Sequence, residues 1–322
     1  MKGATTTVTS LLLLAAFQAA MCDVSTDPKS YFPQIKGNLT QIVWAHAVNS
    51  QADLAKALES AEIMMLEADV VLGKHNSNSS STNTSQTIPI MAHPPKTESD
   101  LSLQEFLMAV IDKKNVSKGI KLDFKTTDAF NASKLILDNL RNDMKFPVFL
   151  NADILPGPLN ANATPVDAKQ FVSQAKMVPN CTLSLGWTTN YVCKNDSTDC
   201  WYTEEQVQQM IDLVKEQNVS QPITYPVRAG LVANNVTTIK SLLEKSSNLN
   251  KDVTLTIWSS DGDTVNAKEL SSLIKDVGVE KVYVDVPKDL MEKLNISAAS
   301  SIGVTAMTMV VSLITVFIST IM

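Results

Sequence analysis

Gly119-Ile120-Lys121-Leu122-Asp123-Phe124-Lys125 alternates apolar and charged side chains from Ile120 onward. That period of two belongs to a β-strand with one apolar face and one charged face. Working outward, helical periodicity flanks the strand at 103–113 and 132–143. The same alternation of element types continues in both directions. Strands are predicted at 42–46, 63–71, 119–125, 147–153, 182–187, 223–231, 253–259 and 281–286. Helices are predicted between them at 51–60, 103–113, 132–143, 167–177, 203–218, 236–245 and 267–277. An eightfold strand/helix alternation predicts an α/β protein, a (β/α)8 TIM barrel spanning 30–295 as one domain. A doubly wound open sheet is the alternative, but no Gly-x-Gly-x-x-Gly supports it. The Asn/Ser/Thr-rich stretch 73–87 reads as a flexible loop, and 88–93 as a short strand-like return.

In a barrel, alternate side chains point inward and active residues gather at the strands' C-terminal ends. The polar residues of these strands share one parity: His46; Glu67 and Asp69; Lys121, Asp123 and Lys125; Asn151 and Asp153; Arg228; Trp258; Asp285. Buried charge is costly, so a site explains their convergence. Glu67, Asp69 and Asp123 are three hard oxygen donors, suited to a divalent cation such as Mg²⁺, with Ca²⁺ or Mn²⁺ as alternatives. His46 and His93 are acid, base or nucleophile candidates. Lys121, Lys125 and Arg228 supply positive charge for an anion, and Asn49, Asn151 and Trp258 are further candidates for contact with substrate. Metal, paired histidines and cations together point to phosphoryl chemistry on a phosphodiester.

The segments Trp44-Ala45-His46-Ala47-Val48-Asn49, Leu66-Glu67-Ala68-Asp69-Val70, Ala92-His93 and Leu122-Asp123-Phe124-Lys125 resemble the menorin family. So do Leu150-Asn151-Ala152-Asp153-Ile154-Leu155-Pro156-Gly157-Pro158, Ser184-Leu185-Gly186-Trp187-Thr188-Thr189 and Pro226-Val227-Arg228-Ala229. More distantly, the first set resembles the sphingomyelinase D and glycerophosphodiester phosphodiesterase group. This second resemblance implies a phospholipase-C-like phosphodiesterase barrel. Glu67, Asp69 and Asp123 would match its metal ligands, and His46 and His93 its catalytic pair. Lys125 would match a phosphate-contacting lysine, and Asn49 the asparagine of the sphingomyelinase D motif. The chain departs from that pattern where Ala47-Val48 replaces Arg-Gly and Pro94 replaces an acidic residue. The menorin resemblance also implies a cell-surface role, so a non-catalytic adhesion or signalling ligand for a receptor is the second function class.

Several residues carry a structural alternative. Glu67 and Asp69 can pair with Lys121 and Lys125 in a metal-free ion network. Arg228 can pair with Asp285, Asp153 can cap its loop, and Trp187 and Trp258 can be core. His75, Asp261 and Asp263 read as solvated loop or turn residues.

The ends carry a different message. Residues 1–22 have one early lysine, a short apolar run and small residues, with Ala20 and Cys22 at the −3 and −1 positions of a secretory signal peptide. Residues 302–322 carry no charge and follow a small polar stretch near Ser297. This layout predicts that 297–322 is a glycosylphosphatidylinositol attachment signal holding the protein on the cell surface. A retained single-pass membrane helix is the alternative. Asn-x-Ser/Thr sequons begin at Asn38, Asn78, Asn83, Asn115, Asn131, Asn162, Asn195, Asn218 and Asn235, and also at Asn180 and Asn295, with Asn180 expected to be silent. Cys193 and Cys200 flank a polar loop and predict a local disulfide. Cys181 reads as a buried thiol. A net charge of −6 over 322 residues, without a Lys/Arg run, argues against nucleic acid.

Overall fold

The strands, in chain order, are β1 (Trp44–Ala45), β2 (Met65–His75), β3 (Ile88–Met91), β4 (Glu98–Ser99), β5 (Gly119–Phe124), β6 (Val148–Leu155), β7 (Thr182–Trp187), β8 (Ile223–Arg228), β9 (Val253–Trp258) and β10 (Val282–Asp285). Between the barrel strands run α1 (Gln51–Glu59), α2 (Leu103–Asp112), α3 (Thr127–Leu140), α4 (Ala168–Ala175), α5 (Glu204–Glu216), α6 (Val236–Ser247) and α7 (Ala267–Val277). This computed structural model describes residues 26–76, 87–113, 117–161, 163–190, 200–250 and 252–296.

Six of these helices start where a short polar side chain satisfies a first-turn N–H; α6, after Asn235, has no such side-chain bond. Ser50, Thr126, Asp167 and Asn266 accept such bonds, while Ser102 with Glu105 and Thr203 with Gln206 form reciprocal capping boxes. The Thr126 cap sets the start of α3 five residues before the predicted one.

Eight parallel strands follow the order β1-β2-β5-β6-β7-β8-β9-β10. The two ends of this sheet meet without a ladder. Trp44 and Tyr283 touch edge to face at 6.1 Å, and His46 bonds Asp285, so the barrel is nearly closed. The apolar parity faces outward: Leu66, Ala68, Val70, Ile120, Leu122, Leu150, Leu183 and Leu255 are buried beneath the helices. Each leucine, isoleucine or valine among them contributes about 1.5–3 kcal/mol on burial.

The segment 28–42 closes the other end. Phe32, Ile35, Leu39 and Ile42 pack with Met65, Phe149 and Tyr283 at the base. Trp44, Phe149 and Tyr283 form an edge-to-face layer with centroids 5.4–6.1 Å apart. The base is therefore plugged and apolar, which leaves the polar parity to the C-terminal mouth.

Three sequence expectations need correction. Gly73, Lys74 and His75 are not loop but the end of β2, paired with β3 and β4. A Cβ at Gly73 would lie 2.3 Å from the Thr97 carbonyl oxygen, so the close approach of these strands requires glycine there. The run 223–231 splits after Arg228 into a strand and the short helix Ala229–Val232. The helix predicted at 132–143 ends at Leu140, and Arg141–Asp143 tightens into a 3₁₀ turn.

The expected signal peptide and lipid-anchor signal lie outside the described residues, as do Asn78, Asn83, Asn115, Asn162, Asn195 and Cys193. Cys200 is buried and disulfide-bonded, and Cys181 is a buried thiol. Among the remaining sequons, Asn180, Asn218 and Asn295 are exposed, whereas Asn38, Asn131 and Asn235 are half-buried. No helix among the described residues is long and apolar enough to cross a membrane.

Candidate catalytic and metal site at the barrel mouth

The strand register assembles the site. Glu67 lies beside Lys121, and Asp69, Asp123 and Asn151 lie side by side across β2, β5 and β6, with Ser184 next on β7. One oxygen from each of Glu67, Asp69 and Asp123 lies within 4.8 Å of the others. Ligands on opposite sides of an ion with bonds of about 2.0–2.6 Å span about that distance, so the three carboxylates fit a divalent cation.

The carboxylates are held from behind. Asn49 donates Nδ2 to Asp69 at 2.7 Å and accepts the Asp69 N–H at 2.9 Å. Asn151 donates to Asp123 at 2.7 Å while accepting the Ser184 hydroxyl at 2.5 Å. Both asparagines were expected to touch substrate. In this structure their amides orient carboxylates, the role that outer partners play in metal sites. The Ala47 N–H donates to Glu67 at 2.8 Å, from a backbone with φ of 55°. A left-handed alanine costs on the order of 1 kcal/mol, and here the strained turn aims its N–H at Glu67.

Lys125, just past β5, bridges Asp69 at 2.8 Å and Asp123 at 2.5 Å. Burial would lower its ammonium, but Asp123, Asp69 and Glu67 raise it well above the usual range. Burial alone would raise the Asp123 carboxyl; Lys125 and Lys121 outweigh that and hold it below the ordinary value. Glu67 goes the other way, raised chiefly by burial against the opposing field of His46. Lys121 is buried, its ammonium 6.0 Å from the centre of the Trp44 ring.

His46 Nδ1 lies 3.0 Å from Asp285 and 3.8 Å from Glu67. Burial would lower its pKa, but the hydrogen bond that the ring donates to Asp285 and the fields of Glu67 and Asp285 raise it to about 9. His93 sits on the turn after β3, at the same end as Asp69, whose carbonyl accepts the Ala92 N–H at 3.0 Å. Its ring is exposed and places Nδ1 2.7 Å from the Pro94 carbonyl. A carbonyl only accepts, so Nδ1 carries the hydrogen and Nε2 keeps a lone pair in the neutral ring. Of the two histidines, His46 touches the carboxylate cluster. The His93 ring is held by the Pro94 carbonyl.

Arg228 was expected to offer charge to an anion. Its guanidinium is instead engaged by Asp263 in a fork at 2.8 and 2.7 Å, and it stacks 5.1 Å over the Trp258 ring. The loop after β9 folds back to bury Asp263 to 5 % side-chain exposure, so this aspartate is no solvated turn residue. Arg228 and Trp258 form one wall of the mouth, with the charge neutralised. Asp285, the alternative partner for Arg228, serves His46. Trp187 is core, packed against Tyr202 and Tyr225.

Asp153 does more than cap its loop. Its pKa is raised to about 7, first by burial and then by Asp123, against Lys125 and Lys121. The register of β6 on β7 shifts between Asp153 and Leu155, a bulge that re-aims the strand end. Gly186 on β7 leaves the space: a Cβ there would stand 2.5 Å from an Asp153 carboxyl oxygen. Inward parity two residues after Asn151 is the signal that marks Asp153. Among the described residues, the carboxyl groups of Glu67, Asp69, Asp123, Asp153 and Asp285 outnumber the cations Lys121, Lys125 and His46, and a bound cation would draw the raised Glu67 and Asp153 toward their ionised forms.

Comparisons with known proteins agree on kinship. The model of the menorin N-terminal domain matches residues 38–291. Protein FAM151B of Homo sapiens is 38 % identical over 265 residues, covering 82 % of this chain and 87 % of that protein. Among solved structures, ribulose-1,5-bisphosphate carboxylase/oxygenase from Pyrococcus horikoshii OT3 is similar at a TM-score of 0.42 and 10 % identity, over 82 % of this chain and 55 % of that one. A GH5-4 broad specificity endoglucanase from an uncultured bacterium gives a TM-score of 0.36 at 11 % identity, over 78 % of this chain and 87 % of that one. Neither structural likeness bears on chemistry. The sequence matches do decide the family: this chain belongs to the menorin family.

Proposed function

We propose that the barrel mouth is a metal-assisted phosphodiesterase site acting on a lipid or glycerol phosphodiester at the cell surface. The observation that carries this reading is the convergence of Glu67, Asp69 and Asp123 within 4.8 Å, beside a histidine paired with a carboxylate. Glu67, Asp69 and Asp123 would hold a divalent cation, with Mg²⁺ the best chemical match to three carboxylate oxygens. When bound, such a cation withdraws charge from the phosphoryl oxygens and orients them. The chain's own residues do the rest. Lys125 and Lys121 add fixed positive charge near the position of the phosphate oxygens. His46, held protonated at neutral pH by Asp285, gives a proton to the leaving alcohol oxygen. His93 directs its Nε2 lone pair to the phosphorus or to an attacking water. Asn49 and Asn151 keep the carboxylates in place through the reaction.

One observation favours a second reading. Lys125 already bridges two of the three carboxylates, as expected of a structural ion network in a non-catalytic adhesion or signalling ligand. In either reading the protein works outside the cell, glycosylated at some of its sequons and held by its C-terminal anchor. The sequons and terminal segments support this location.

The deciding experiment incubates the purified protein with Mg²⁺ and a panel of glycerol and choline phosphodiesters, beside His46→Ala and His93→Ala. Turnover that needs Mg²⁺ and falls by about 10²-fold or more in each variant supports catalysis. Turnover unchanged in both variants refutes the histidine roles. No turnover on any substrate transfers the weight to the ligand reading.

A further inference from the structure

At the opposite end from the mouth lies a cavity of about 500 Å³. The aromatic layer of Trp44, Phe149 and Tyr283 separates the two, and Tyr283 lines the cavity from below. We propose that this cavity is a binding site for a phosphate- or sulfate-bearing small molecule, independent of the chemistry at the mouth.

The charge of its lining points to an anion. Lys29, Arg141, Lys145 and Lys281 all border it, against two carboxylates, Asp27 and Asp252. None of the four cations forms an ion pair among the described residues. Asp27 is turned to another task, since its carboxylate caps the helix Pro28–Tyr31 by accepting from Ser30. The cavity is therefore electropositive, whereas the mouth is lined mainly by carboxyl groups.

Arg141 makes this a built site rather than a patch of surface lysines. It is 6 % exposed. Its Nε and both terminal nitrogens donate to the carbonyls of Pro179, Met144 and Asn180 at 2.6–2.7 Å. Those three bonds fix the guanidinium plane and use three of its five donors. A buried guanidinium with no carboxylate paired to it among the described residues, and with two donors remaining, suits paired oxygens of a phosphate or sulfate. The volume falls in the range of small-molecule pockets and exceeds what a bare oxyanion fills, so the anion is expected as an ester on a larger group such as a sugar.

Replacing Arg141 would also remove three structural hydrogen bonds, so the test uses Lys145 and Lys281, which are exposed and unpaired. The full chain is titrated calorimetrically with glucose 6-phosphate, inorganic phosphate, inorganic sulfate and glucose. The buffer is of low ionic strength and contains a chelator, so that no metal at the mouth captures the anion. Saturable binding of glucose 6-phosphate but not glucose is expected. The double variant Lys145→Glu/Lys281→Glu should weaken it about tenfold or more, while Lys56→Glu/Lys134→Glu, the same change of net charge elsewhere, should alter it less than about twofold. Tighter binding of the ester than of the inorganic ions supports a covalently carried anion; the reverse order supports a free oxyanion in the same site. Absence of saturable binding in the wild type, or equal weakening in both double variants, overturns the proposal.

Discussion

Lys125→Met removes the ammonium that joins Asp69 and Asp123 and keeps nearly the same side-chain volume, so packing is conserved. The structure sets the magnitude. Asp69 is 4 % and Asp123 15 % exposed in its side chain, with Lys125 at 2.8 and 2.5 Å. Breaking a buried pair by deleting one partner costs about 3–5 kcal/mol. For a domain of this size that is a fall in Tm of roughly 6–20 °C. The sign with pH follows from Asp123. In the wild type its lowered pKa gives stability that is present above the ordinary carboxylate range and lost as pH falls through the folded value. In the variant, burial acts without the cation and raises that pKa, so the gap to wild type should narrow as pH falls. Mg²⁺ supplies the second test. If the carboxylates form a cation site, Mg²⁺ at about 100 times its Kd restores about 2.7 kcal/mol to the variant. The assay is chemical and thermal denaturation of both proteins with EDTA and with Mg²⁺. A variant within about 1 kcal/mol of wild type, or one indifferent to Mg²⁺, refutes the reasoning.

Two further outcomes are expected. Asp153→Asn should be more stable than wild type above neutral pH by on the order of 1 kcal/mol or more, because a carboxyl whose folded pKa is raised to about 7 loses stability as pH rises from the ordinary carboxylate value; denaturation at pH 5 and pH 8 measures this, and a gain equal at both values contradicts it. Gly186→Ala places a Cβ 2.5 Å from the Asp153 carboxyl and 3.0 Å from Pro226 Cγ, so it should displace Asp153 at a cost of about 1–3 kcal/mol, and an unchanged Tm contradicts the contact.

How far the residues announced this structure depends on what each pattern encodes. Alternation such as Ile120-Lys121-Leu122-Asp123 is strictly local, and the run 182–187 was legible to the residue as β7. Parity then placed Glu67, Asp69, Asp123 and Asn151 on the inner face, because a period of two leaves no other choice. What parity does not encode is pairing. Arg228 finds Asp263, in a loop 35 residues on, rather than Asp285. Asn49 and Asn151 turn their amides to carboxylates, and that depends on three-dimensional register. The base plug of Phe32, Ile35, Leu39 and Ile42 was also hidden, since its short turns carry no long periodicity. His93 shows a further limit: the sequence brings it to the right end of the barrel, but its ring orientation is set by the Pro94 carbonyl.

The proposed function requires that Glu67, Asp69 and Asp123 hold a divalent cation. Electron paramagnetic resonance of chelator-stripped protein titrated with Mn²⁺ tests it most directly. One saturable site, competed by Mg²⁺ and lost in Glu67→Gln and Asp69→Asn, is the expected result. Mn²⁺ that stays free in solution, or binds the two variants as tightly as wild type, would contradict it.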